Sequence, residues 1–265
     1  MKKTLSTIVL ASALLLGTVA PVAANADTTD PTSTGNTATH VQIDAPANMT
    51  NPVDPTDPSN PATNTDPTDS TSPSNPADNG AKVSGPLTFL YVTKDMTFEE
   101  TTSSISKAQT IPVKTITEST FMKDGTPNAN FVTEVGDSRG TNAGWSVQVQ
   151  SSQMTNASKD VLKGATVDFG TGVAGTNNGD TTITNSADNA GITANNVSLA
   201  TDGATNAPAT IYTAAADHGA GATAFQLGTD KIALNNVAPN AKSGTYNGNL
   251  TWSLSNTPTS SDSIK

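Results

Sequence analysis

Hydrophobic and polar positions alternate in short runs along the second part of the chain. The cleanest run is Trp145-Ser146-Val147-Gln148-Val149-Gln150. The last one places Tyr246, Gly248, Leu250, Trp252 and Leu254 on one face and Asn247, Asn249, Thr251 and Ser253 on the other. A period of two is that of a half-buried strand. Further strands are predicted at Leu87–Val92, Ile111–Thr117, Phe131–Val135, Val167–Phe169, Ile183, Val197–Leu199, Ile211–Tyr212 and Ala224–Leu227. Turn-rich stretches such as Asn177-Asn178-Gly179-Asp180 separate them. Only Thr102–Lys107 and Asp160–Lys163 allow a helical turn, and neither is periodic for long enough to form a helix. Many short strands between glycine-rich turns predict an all-β fold, a β-sandwich-like antiparallel domain. The stretch 170–223 is poor in large apolar residues and reads as loops and thin strands, an insertion on one edge of the sandwich.

The pattern is absent before residue 82. Residues 1–26 read as a signal peptide: Lys2-Lys3, an apolar run from Ile8 to Val19, and Ala24-Asn25-Ala26 before Asp27. That run is shorter than the roughly 20 apolar residues a spanning helix needs, so no membrane insertion is expected after cleavage. Residues 27–81 hold nine Pro and eight Asp, with no Lys, Arg or aromatic residue. They read as a disordered Pro/Asp/Thr-rich linker, with too little apolar surface to offset the entropy of ordering. Short units recur in it: Asp54-Pro55-Thr56-Asp57 returns as Asp66-Pro67-Thr68-Asp69, and Ser59-Asn60-Pro61-Ala62 as Ser74-Asn75-Pro76-Ala77. Residues 82–265 then form one domain, large enough to bury a core unaided.

Composition narrows the chemistry. The 265 residues carry a net charge of −10, no Cys, one Arg and two His. Without Cys there is no disulfide framework and no thiolate zinc site. The acidic balance opposes nucleic acid, whose phosphates need clustered Lys and Arg. Asp180, Asp188 and Asp202 are too scattered for a calcium loop and suit turns instead. His40 lies in the linker and His218 in an Ala/Gly-rich loop without a nucleophile motif. Glu99 and Glu100 are adjacent, so on a strand they face opposite sides. The expected protein is not an enzyme and takes no cofactor or metal.

Three segments carry a resemblance. Val135-Gly136-Asp137-Ser138-Arg139-Gly140 leads into Gly144-Trp145-Ser146-Val147; Leu162-Lys163-Gly164-Ala165 follows; and Tyr246 to Pro258 contains Leu250-Thr251-Trp252-Ser253-Leu254. Together they resemble the WxL-domain cell-surface proteins of low-GC Gram-positive bacteria over about residues 85–258. Val147 stands where the family name implies Leu. The resemblance implies a secreted protein attached non-covalently to the cell wall, with peptidoglycan or a related wall polymer as partner. It also implies a possible membrane-anchored WxL-interacting protein as partner. Alternative readings are a subunit of a surface complex and a host-matrix adhesin. No Leu-Pro-x-Thr-Gly sorting signal or lipobox Cys is present, in keeping with non-covalent retention.

The candidate binding residues are Trp145, Val147, Arg139, Trp252 and Leu254. An indole stacks on sugar C–H faces and serves as a hot spot at an interface. Equally, two Trp in a chain with 4% aromatics suit the core. Leu250 and Leu254 beside Trp252 favour the core there, whereas Trp145, after a glycine-rich loop, is the better candidate for exposure. Arg139 either meets a ligand carboxylate with its planar fork or forms an internal ion pair with Asp137 or Glu134.

Overall fold

The structure, a computed structural model, describes residues 36–55, 57–62, 79–117, 129–170, 182–183, 191–203 and 207–257. The signal peptide, the second copies of the linker repeats and Pro258 lie outside the described residues. The chain divides into two units, Met1–Gln42 and Ile43–Lys265. Of the first, residues 36–42 are described, as exposed chain without regular structure. Everything below concerns the second.

Its elements are almost wholly strands: β1 (Val53–Asp54), β2 (Asp57–Pro61), β3 (Leu87–Val92), β4 (Asp95–Phe98), β5 (Gln109–Thr117), β6 (Phe131–Asp137), β7 (Trp145–Ser151) and β8 (Thr166–Phe169). Then come β9 (Thr182–Ile183), β10 (Ile192–Ala194), β11 (Val197–Ala200), β12 (Ala209–Ala214), β13 (Gly221–Leu227), β14 (Ile232–Val237) and β15 (Leu250–Ser255), with one 3₁₀ turn at Thr229–Lys231. Among the described residues every pairing is antiparallel. Three larger sheets run β10-β12-β7-β15, β11-β8-β14-β5-β4 and β3-β6-β13-β9; β1 and β2 form a hairpin. The fold is all-β, as the alternation predicts. All three larger sheets contribute to one core, which includes Val113, Val135, Val147, Phe169, Tyr212, Phe225 and Leu234.

Two aromatic clusters anchor this core. Trp145 meets Phe225 edge-on at 6.0 Å, and Tyr212 stacks on Phe225 at 3.8 Å. Trp252 stacks on Phe131 at 5.6 Å and meets Phe169 edge-on at 6.2 Å. In a chain so poor in bulky groups, six of its eleven aromatic residues thus converge on two points.

Neither 102–107 nor 160–163 forms a helix, as their lack of periodicity predicts. Other expectations are corrected. Strand β15 begins at Leu250, not Tyr246; Asn247 makes only an isolated bridge to Thr155. The stretch 170–223 is more than an edge insertion, because β12 is an internal strand between β10 and β7. The sequence predicts its middle, Ile211–Tyr212, and its small ends hide the rest: Ala214 is buried beside Trp145 and Ala209 partly buried beside Val149.

The domain also reaches further back than residue 82. Residues 43–62, read from composition as linker, cover the outward face of β3-β6-β13. Val53 and Ala62 are buried there, and Val53 packs with Leu90, Ala222 and Ala224. A β-bulge between Phe89 and Tyr91 puts two successive large side chains, Leu90 and Tyr91, on this covered face. With both faces covered, β6 is buried at every position, so it has no polar side for alternation to reveal.

Candidate functional site

The loop before β7 is built around Arg139. Its Nε and Nη2 donate to the two carboxylate oxygens of Asp137 at 2.9 and 2.7 Å, a bidentate fork. Nη2 also donates to the Gly144 carbonyl at 2.7 Å, and the Arg139 N–H to Asp137 at 3.1 Å. The hydrogen bond with Asp137 raises the Arg139 pKa further above its already high value, so the guanidinium stays charged. The Asp137 side chain is 2% exposed and that of Arg139 14%. The arrangement is an internal ion pair with Asp137. Glu134 sits on the opposite face of β6, where its carboxylate accepts the Val53 N–H.

This clasp delivers Trp145 into the interior. Trp145 is 0% exposed, so of its two readings the core one describes its position and the exposed one does not. Its Nε1 donates to the Gly219 carbonyl at 3.0 Å, satisfying the one polar atom of the ring. Two glycines make the fit possible. Gly144 has φ +72°, and a Cβ there would collide with the Ala214 carbonyl oxygen. Gly219 has φ +74°, and a Cβ would sit 2.6 Å from the Trp145 Nε1. Both conformations favour glycine. Val147, two residues on, is equally buried.

The Leu162–Ala165 segment is a second knot. Leu162 and Ala165 are buried, and the Thr201 hydroxyl lies 2.7 and 2.9 Å from their carbonyls. Asp202 accepts the Gly164 N–H and Asn236 donates to the Gly164 carbonyl. The segment thereby ties the β11 end to the β14 bulge.

Trp252 and Leu254 are only partly buried. Their strand pairs with β7 in the register Leu250↔Ser151, Trp252↔Val149, Leu254↔Val147. The five proposed binding residues are therefore not brought together on an open surface. Trp145, Val147, Trp252 and Leu254 line the inner side of one sheet, and Arg139 braces its corner.

The other side of that sheet is what the alternation leaves outside. Cross-strand rows run Ser255, Ser146, Thr213 and Thr193; then Ser253, Gln148 and Thr210; then Thr251 and Gln150. Thr193, Thr251 and Ser253 are exposed, and Gln148, Gln150, Thr210 and Thr213 partly so. Ser146 is buried and holds the Thr257 carbonyl at 3.0 Å. Every side chain in these rows is a hydroxyl or an amide; none is ionisable. Strands about 4.8 Å apart with same-face residues about 7 Å apart make a grid of donors and acceptors. Such a grid hydrogen-bonds neutral polar ligands and exerts no pull on polyanions.

The chain matches the sequence pattern of WxL domains, described as surface cell wall-binding, over residues 30–258. It belongs to the WxL family. No curated protein and no solved structure matches it. The WxL match begins well before residue 82 and so takes in the β1–β2 hairpin, in agreement with its packing. In this WxL domain the diagnostic Trp-Ser-Val and Trp-Ser-Leu triplets lie side by side on neighbouring strands, with Leu254 opposite Val147. Their Trp and aliphatic residues form the inner face, and the Ser between them points outward. The polar grid was visible as the intervening positions Gln148, Gln150, Thr251 and Ser253. Its continuation onto Thr210, Thr213 and Thr193 was not, because only the sheet order places those residues beside β7.

Proposed function

We propose that this is a secreted, non-catalytic protein held at the cell surface by non-covalent binding of its WxL domain to peptidoglycan. What carries the reading is the uncharged hydroxyl and amide grid on the outer face of β10-β12-β7-β15. Glycan strands present neutral hydroxyl and acetamido groups, which pair with such side chains. Anionic wall polymers instead need clustered cations, and the grid has none. Trp145 and Trp252 act from behind, holding the sheet in place. The signal peptide read at 1–26 supplies export.

The test is co-sedimentation of the purified mature protein with walls stripped of protein and teichoic acid. Pelleting with bare peptidoglycan is expected; a protein that stays in the supernatant refutes direct polymer binding.

A second reading rests on the outer edge of β15. Among the described residues this strand pairs only with β7, so its other edge is available for strand addition. A membrane-anchored partner protein docking there would give surface retention that depends on the partner. Retention by walls only when that protein is supplied is the outcome that favours it.

A further inference from the structure

A sheet edge offers unpaired N–H and C=O groups to any other strand, and natural proteins protect it with bulges, charges, shortness or a covering segment. Among the described residues, the edges of the three larger sheets carry such devices at every place but one. β4 opens with Asp95 and is bulged between Thr97 and Phe98. β3 is bulged between Phe89 and Tyr91 and capped by Asn79, whose side-chain amide donates to the Leu90 carbonyl and accepts the Val92 N–H, at 3.0 and 3.2 Å. β9, β10 and β11 are two, three and four residues long. β15 has none of these. It runs six residues in unbroken register with β7, without Pro or charge. Its inner side carries Leu250, Trp252 and Leu254, all partly exposed.

The parity of the ladder tells which groups lie on that edge. The Asn249 carbonyl accepts the Ser152 N–H at 2.9 Å. Backbone groups of an antiparallel strand point alternately to one side and the other, so Asn249, Thr251, Ser253 and Ser255 turn theirs toward β7. The N–H and C=O groups of Leu250, Trp252 and Leu254 face outward. This set is complementary to itself. A second β15, laid antiparallel about a two-fold axis at Trp252, puts Leu250 opposite Leu254 and Trp252 opposite its own counterpart. Each of these is a hydrogen-bonded pair, so every outward group of the three residues is satisfied. Apolar side chains then meet apolar ones on the inner side, and Thr251 meets Ser253 on the outer side. Charge agrees with this pairing. Two copies of a chain of net charge −10 repel in general, but residues 247–257 hold no ionisable group, so no like charges face each other along the edge.

We propose that the free edge of β15 is a self-association surface whose occupant is β15 of a second copy, the two pairing about a two-fold axis at Trp252. The two sheets become one, ordered β10-β12-β7-β15-β15-β7-β12-β10, with the hydroxyl and amide rows of both copies on the same side. The exposed rim of each Trp252 is covered by the other copy. An isologous pair of this kind uses up both edges at the junction and stops at two. On the peptidoglycan reading, on which this one consequence rests, the dimer offers two grids to one wall and gains in avidity.

Sedimentation equilibrium of the full mature chain, with neither wall nor partner protein present, tests the pairing independently of the peptidoglycan reading. The wild type is expected to dimerise as its concentration rises. Thr251→Lys/Ser253→Lys, at two exposed positions, sets like charges opposite one another across the axis and should weaken the dimer about tenfold or more. Thr251→Glu/Ser253→Glu should do the same. An equal mixture of the two variants should dimerise at least as well as the wild type, a rescue that a folding defect would not give. A wild type that stays monomeric at every concentration overturns the proposal and returns the edge to the membrane-anchored partner. A dimer indifferent to the lysine pair, or a mixture that stays monomeric, overturns it too. If either charged variant is unfolded, Thr251→Cys/Ser253→Cys decides, in a chain that has no other Cys. Positions 251 and 253 of the two copies then form a pair that is not hydrogen-bonded, with Cα atoms about 4.5 Å apart, within disulfide range. Oxidised glutathione is expected to link them into a dimer on non-reducing electrophoresis; a product that remains monomeric overturns the proposal.

Discussion

The two tryptophans sit on neighbouring strands of one sheet and are held in different ways. Trp145 is sealed: its ring nitrogen is satisfied by Gly219, its backbone is clamped by Arg139 through Gly144, and its ring abuts Phe225. Trp252 is held by ring contacts, stacked on Phe131 and edge-on to Phe169, from an edge strand that leaves it partly exposed. Both belong to the same sequence pattern, Trp-x-aliphatic on a strand, yet one is embedded by polar devices and the other by packing. A short motif fixes the side of a strand on which a residue lies; the neighbouring strands fix how deeply it is buried.

That contrast sets the size of the expected effects. Trp145→Ala removes a fully buried ring and strands the Gly219 carbonyl, for about 4 kcal/mol of destabilisation, read by chemical denaturation. Arg139→Ala leaves the Asp137 carboxylate buried without its partner and should cost about 3 kcal/mol; Arg139→Lys restores charge but not the fork, and should recover only part of it. Trp252→Ala should cost about 2 kcal/mol, below the range for a fully buried aromatic, because its ring already meets solvent on one side. If Trp252→Ala proves as damaging as Trp145→Ala, the distinction between the two collapses. Thr251→Ala with Ser253→Ala should change stability by about 0.5 kcal/mol or less while weakening wall binding, which separates the two sides of the sheet.

The smallest effect concerns the cluster around Trp252. Asp168, next to Phe169 on β8, is pushed up by partial burial, but hydrogen bonds from Ser198, Asn235 and Thr166 outweigh this and hold its pKa below the usual carboxylate value. The Ser198 and Asn235 contacts are both 2.6 Å. A depressed folded pKa gives stability that is present above the unfolded value, near 4, and lost as pH falls through the folded value. Ser198→Ala should lower stability slightly at pH 7 and less at pH 2, which flattens that acid limb. Denaturation midpoints between pH 2 and 7 would check it.

The strands with bulky alternating residues were legible in the sequence, and so was the inward set Trp145, Val147, Trp252 and Leu254. What was not legible has physical causes. β12 is built at its ends from Ala209 and Ala214, residues too small to mark a strand by hydrophobicity. Residues 43–62 looked like linker because the residues buried there, among them Pro52, Val53, Asp54, Pro55, Pro58 and Ala62, are mostly of types that composition assigns to a linker. Such burial leaves almost no trace in composition. Arg139 was legible as half of an ion pair, but the choice of Asp137 over Glu134 follows from the parity of β6, on which the two carboxylates face opposite sides. The polar grid required sheet order, which pairs residues some 60 positions apart, as Gln148 with Thr210.

The most direct test of the central claim is peptidoglycan binding by Gln148→Ala/Thr251→Ala/Ser253→Ala against the wild type, measured by co-sedimentation with teichoic-acid-free walls. Three lost hydrogen bonds at about 1 kcal/mol each predict binding weakened by about a hundredfold, with the fold and denaturation midpoint retained. A folded triple variant that binds like the wild type would contradict the account and move the wall contact away from this face.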